Sequence, residues 1–169
     1  EYAHGDAMSS ANQDCIRLCH PQKQATQPSK LQTAIDQHLA RLTRQIPELR
    51  HAIGSVNLKS FGERELAMLH PDVRKDFHQK GLETAGIAMP NADTGKTDIY
   101  LNTRAMLKQS LDQNLQTLSH EVGHALDNHL TRTKPIEHGI FKAVNAQAFN
   151  QVSPYARTND REAFAEAFR

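Results

Sequence analysis

His120, Glu121 and His124 stand in the run Leu115-Gln116-Thr117-Leu118-Ser119-His120-Glu121-Val122-Gly123-His124-Ala125-Leu126. Two histidines four residues apart on a helix lie roughly 40° from one another around its axis, so both imidazoles can reach one metal ion. A glutamate directly after the first histidine can act as a general base while staying out of the coordination sphere. That chemistry is hydrolysis at a zinc ion. The run also suits a buried helix, because Leu111, Leu115, Leu118, Val122, Ala125 and Leu126 recur at helical spacing. Gly123 is a poor helix former, used where a close neighbour needs the space.

A catalytic zinc ion commonly takes three protein ligands and keeps one position for water. The long pattern with a third histidine six residues after the second fails here, since Asp127 stands in place of its glycine and Leu130 in place of its histidine. His129 follows His124 by five residues, which on a continuing helix turns it about 140° away and predicts a surface position. His138 lies in Lys134-Pro135-Ile136-Glu137-His138-Gly139, which reads as a turn without ligand spacing.

A carboxylate from a later helix is the better candidate. Asn159-Asp160 caps an amphipathic stretch in which Glu162 and Glu166 share one face. One carboxylate would bind the metal, and the other, one turn on, would accept from the free ring nitrogen of a ligating histidine. The same pair reads equally as an acidic solvent face on a terminal helix.

Taken together, His120-Glu121-x-x-His124, Tyr155, and Glu162 within Glu162-Ala163-Phe164-Ala165-Glu166-Ala167-Phe168 resemble the anthrax lethal factor-like zinc metallopeptidases, which include the Pro-Pro endopeptidases. Tyr155 precedes Glu162 by seven residues and His124 precedes it by 38. The resemblance covers roughly residues 50 to 169. It implies a single catalytic Zn2+ held by His120, His124 and Glu162, with Glu121 as the base, Tyr155 as donor to the developing oxyanion, and Glu166 behind a ligating histidine. It further implies a secreted protein, extracellular or delivered into a host. Two substrate classes go with it: proline-directed cleavage of secreted or surface proteins, or cleavage of one host protein by a toxin or effector. The alternative to an enzyme is a non-catalytic zinc-binding interaction domain, and the retained Glu121 argues against it.

The elements that must position these residues follow from pattern. The 169 residues make one ordinary domain with a net charge of +1, 38% hydrophobic residues, no Trp and six Phe. That balance gives no nucleic-acid footprint, and no apolar run reaches the length of a membrane span. Residues 1 to 28, rich in Gln, Ser, Ala and Asn, read as a flexible lead-in, and the absence of a basic-then-apolar leader reads as a mature or excised chain. Cys15 and Cys19 form a local disulfide if the chain is exported.

Residues 29 to 169 are then expected to form an α+β, zincin-like domain with a small mixed sheet, an active-site helix and a C-terminal helical subdomain. Its upper part would span 29 to 129 and its lower part 130 to 169. Ser29 caps a first helix whose stripe is Leu31, Ala34, Ile35, Leu39, Leu42 and Ile46. Residues 55 to 61 alternate as a strand, 62 to 69 and 72 to 80 form two short helices split at His70-Pro71, and 85 to 89 and 97 to 102 form a hairpin. One of those last two strands is the candidate edge onto which a protein or peptide substrate adds as a strand. A long helix or helix pair over 104 to 129 carries the motif. Beyond the break at Thr133-Lys134-Pro135, an apolar pattern through Ile140, Phe141, Val144, Ala148 and Phe149 closes the cleft from below, and 153 to 158 is a loop carrying Tyr155. A monomer is expected.

Overall fold

The computed structural model describes residues 26–81 and 83–169. The lead-in up to residue 25, with Cys15 and Cys19, lies outside them. Thr26 already belongs to the folded body, since its hydroxyl donates to the Gln109 carbonyl at 2.9 Å.

The fold is α+β: a three-stranded mixed sheet with eight helices among the described residues. Helix α1 (Pro28–Gln45) starts two residues earlier than the sequence predicts, and Ser29 is not its cap. Pro28 takes the first helical position, where its fixed φ suits the helix and its missing N–H costs nothing, so Gln27 becomes the cap. A short α2 (Leu49–Ala52) leads into β1 (Ile53–Lys59). Helices α3 (Glu63–Ala67) and α4 (Pro71–Lys80) follow, divided at His70, whose Nδ1 accepts from Asp72 N–H to cap α4.

Strands β2 (Gly86–Asn91) and β3 (Lys96–Asn102) run further into their turn than expected, and Gly95 supplies the positive φ of 68° that the turn needs. The sheet order is β1-β3-β2, with β1 parallel and β2 antiparallel to β3. β3 is therefore central, so 97–102 is not an edge, and among the described residues β2 is one.

One face of the sheet packs Ile99 and Leu101 against Leu31 and Ile35 of α1 and, farther along the chain, Leu118, Val122 and Leu126. The other face packs Ile87 against Phe61, Leu66, Val73 and Phe77. Helices thus cover both faces, and the motif-bearing helix lies beneath the sheet.

The stretch after β3 is a helix pair, α5 (Thr103–Met106) and α6 (Leu111–Thr133). α6 runs four residues past the expected 129, up to the break before Pro135, which opens α7 (Pro135–Asn150). A 3-10 turn (Tyr155–Thr158) and α8 (Asp160–Glu166) complete the chain.

Of the apolar pattern of α7, Phe149 packs against the core, whereas Ile140, Phe141 and Val144 are 60%, 50% and 77% exposed. The inward face of α7 also carries a polar group. Buried His138 places Nε2 2.7 Å from Oδ1 of buried Asp127 on α6, and Lys142 Nζ reaches the same oxygen at 3.1 Å. His138 is thus in the first turn of a helix, not in a connecting turn. No described helix is long and apolar enough to cross a membrane.

Candidate metal centre

Helix α6 begins at Ser110, whose hydroxyl accepts from Gln113 N–H while Gln113 Oε1 accepts from Ser110 N–H. The Asn114 amide inside its first turn donates to the Met106 carbonyl at 2.8 Å, tying α6 to α5. From this anchored start, the helical period carries His120 and His124 to one face, with their Nε2 atoms 3.1 Å apart.

The third donor arrives from α8. Asn159 caps that helix by accepting from Glu162 N–H at 3.0 Å, which sets Glu162 in the first turn. Close approach of α8 to α6 depends on Gly123: a Cβ there would lie 2.8 Å from the Ala165 Cα and 3.2 Å from its carbonyl oxygen. Glu162 Oε2 then lies 3.1 Å from His120 Nε2 and 3.2 Å from His124 Nε2. Of the described residues, His120, His124 and Glu162 form the group able to hold a metal ion.

Two observations test whether that group fits a cation. Bonds of about 2 Å to three corners of a tetrahedron require donors about 3.3 Å apart, close to the spacings found. Glu162 Oε2 is also buried, so three donor atoms converge on one point screened from solvent. Two imidazoles and one carboxylate suit zinc among the common ions.

The electrostatics agree with that convergence. Partial burial would raise the Glu162 carboxyl, but the two imidazoles outweigh it and hold the carboxyl far below its ordinary range. Burial would lower His120, but Glu162, Glu121 and Glu166 outweigh it and hold the imidazole above its ordinary value.

Glu121 is buried and leans away from the three donors toward β2. Gly86 makes room for it, since a Cβ at Gly86 would meet Glu121 Cγ at 2.9 Å and Thr117 Cγ2 at 3.0 Å. Burial pushes the Glu121 carboxyl up, and the attraction of His120, His124 and Lys80 offsets only part of that rise. Its Oε2 is buried without a hydrogen-bond partner among the described residues.

Glu166 is 2% exposed, so the solvent-face alternative for it fails. Its Oε1 lies 2.8 Å from His120 Nδ1, within ion-pair distance though without the alignment of a full hydrogen bond. Arg169 grips both its oxygens at 3.1 Å and reaches on to Gln116 of α6.

Tyr155 sits on the 3-10 turn, 48% exposed, with its ring centre 6.0 Å from that of His120. Burial and the neighbouring carboxylates of Glu162, Glu121 and Glu166 raise its phenol, so it stays a hydrogen-bond donor. A cleft of about 210 Å³ opens beside these groups, lined by Thr84, Ala85, Gly86, Thr117, His120, Glu121, Tyr155, Glu166 and Arg169.

Every residue singled out from the sequence for this chemistry therefore meets at one place. Two other histidines depart from expectation. His129 is buried rather than on the surface, because α2 packs on that side of α6 and Glu48 Oε1 lies 3.1 Å from its Nε2. His138 is buried against Asp127. Neither joins the metal group, as expected. Sequence reasoning did not identify Gly86, Ser153 or Arg169. A glycine within a strand is a signal of close backbone approach and marks Gly86 in hindsight; no comparable signal marks the other two. No protein-family model, curated protein or solved structure matches the chain.

Proposed function

We propose that this protein is a zinc-dependent endopeptidase with a zincin-like catalytic domain of the lethal factor-like kind. The observation that carries the reading is the convergence of His120, His124 and Glu162 next to a buried carboxylate, Glu121, whose proton affinity is raised. A zinc ion held by those three residues would supply Lewis-acid polarisation of a carbonyl and a water of lowered pKa.

The chain's own groups do the rest. Glu121 takes a proton from the attacking water and passes it to the leaving amine, and its burial brings its proton affinity toward what that exchange requires. Tyr155 donates its hydroxyl to the oxyanion that develops on the carbonyl. Glu166, with Oε1 2.8 Å from His120 Nδ1, favours a proton on that nitrogen by its charge and so leaves Nε2 to bind metal.

The edge of β2 supports a peptide substrate. Asn102 N–H donates to the Ala85 carbonyl, and the antiparallel register then turns Ala85, Ile87 and Met89 toward β3. Gly86 and Ala88 direct their N–H and C=O groups to the open edge, where Pro90 ends the ladder for want of an N–H. A substrate strand paired there runs past Glu121. Proline-directed cleavage and a dedicated host substrate are the two specificities that go with the resemblance, as does secretion or delivery into a host.

The test is a diverse peptide library containing Pro-Pro sequences, incubated with the zinc-loaded protein and with Glu121→Gln, with new termini mapped by mass spectrometry. Cuts made only by the unsubstituted protein, with zinc retained in both, establish the peptidase, and their flanking residues choose the specificity. No cuts with zinc bound would instead favour a single dedicated protein substrate or a non-catalytic zinc domain. Loss of zinc in Glu121→Gln would overturn the division between base and ligands.

A further inference from the structure

The Glu166 carboxylate faces two ways. Oε1 lies toward His120, and Oε2 accepts a 2.5 Å hydrogen bond from the Ser153 hydroxyl. Ser153 Oγ in turn accepts from Ala156 N–H at 3.1 Å. A single hydroxyl therefore links the carboxylate behind His120 to the first turn after Tyr155.

The turn packs against α8 and α7, and Ser153 is the side chain that ties it to Glu166. Pro154, its capping residue, contributes no side-chain bond, and Tyr155 is half exposed. Arg157 ties the turn to the Asn150 carbonyl at 3.3 Å, but that contact is exposed. Ala156 is fully buried, so its amide must be satisfied from within, and Ser153 does this. The position needs a group that donates to a carboxylate and accepts from an amide together. A hydroxyl does both and a methyl neither.

We propose that Ser153 is a positioning residue: it fastens the turn carrying Tyr155 to the same carboxylate that orients His120, so one group sets both the metal-ligand side of the cleft and its hydroxyl donor. The role of Tyr155 in this statement rests on the endopeptidase reading above, whereas the link itself stands without metal.

The experiment compares Ser153→Ala and Ser153→Thr, alone and combined with Tyr155→Phe. In the metal-free protein, Ser153→Ala should speed amide exchange of Ala156 and its turn by about 10-fold and leave the centre of α6 unchanged, with Thr restoring the slow rate. Unchanged exchange in the turn would overturn the proposal.

In the zinc-loaded protein, Ser153→Ala should lower kcat by about 10-fold at nearly constant KM, as a misplaced donor does. Zinc affinity should stay within about 3-fold, because Arg169 still holds both Glu166 oxygens. In the Tyr155→Phe background the same change should cost less than about 2-fold. Independent, multiplying losses would show that Ser153 does not act through Tyr155 and would overturn the proposal. An unsubstituted protein that binds no zinc would overturn the metal reading alone, and the exchange data would then decide the link.

Discussion

Gly123 lies against the backbone of Ala165 so closely that a methyl group on it would sit 2.8 Å from the Ala165 Cα. The contact is between the helix that carries both histidines and the helix that carries the third donor. It sets how far Glu162 and Glu166 stand from His120 and His124.

Gly123→Ala tests that relationship. Alanine favours a helix interior by about 1 kcal/mol over glycine, and the overlap here is with backbone, which cannot rotate away. Overpacking of this kind costs about 1–3 kcal/mol and should win, displacing α8. We expect a lower melting temperature and a loss of zinc affinity of about 10-fold or more by chelator competition. A more stable variant with unchanged affinity would show that α8 yields without moving its carboxylates.

Gly86→Ala acts on the opposite wall. The added methyl meets Glu121 Cγ and Thr117 Cγ2 and not the three donors, so it should shift the base and leave the metal group alone. Zinc affinity is expected within about 3-fold of the unsubstituted protein, with kcat down by about 10- to 100-fold, the scale of a misplacement near 1 Å. Equal losses in both would place Gly86 in the fold and not in the positioning of Glu121.

Asp98 gives a pH dependence outside the metal group. On the central strand, its Oδ1 accepts from Ser55 N–H at 2.8 Å and from the Ser55 hydroxyl at 3.0 Å, and its Oδ2 accepts from Asn91 Nδ2 at 2.9 Å. One carboxylate thus ties all three strands. Partial burial would raise its pKa, but the donors of Ser55 and Asn91 outweigh this and lower it. A carboxyl lowered on folding adds stability that is complete above its unfolded pKa near ~3.9 and is lost as pH falls through the folded value. Asp98→Asn should cost about 1–2 kcal/mol at pH 7. Melting curves from pH 7 downward should show a constant gap between the two proteins to about pH 5, closing below about pH 4. A gap that is flat to pH 3 would remove the ionised carboxylate as its source.

The sequence by itself determined the parts that depend on helical period. His120 and His124 converge because four residues make about one turn, and Glu121 follows from adjacency. The break after α6 was legible from Thr133-Lys134-Pro135, and its inner face from the apolar spacing of Leu118, Val122, Ala125 and Leu126, whereas its bounds were not. Near neighbours along a chain have only a few ways to lie in space, so type and spacing suffice for them.

Tertiary packing decided the remainder, because it joins residues whose separation along the chain carries no geometric signal. Glu162 and Glu166 read equally as a solvent face until Gly123 admits α8 against α6. Which hairpin strand is the edge depends on β1 pairing parallel to β3, a choice made by the crossover and not by alternation within either strand. His129 reads as a surface residue and His138 as a turn residue in sequence, since a polar residue and its buried partner are indistinguishable from two exposed ones until they meet. α7 buries His138 against Asp127 while Ile140 and Val144 of its apolar pattern stay exposed, because a buried polar group needs a partner and an exposed apolar one does not.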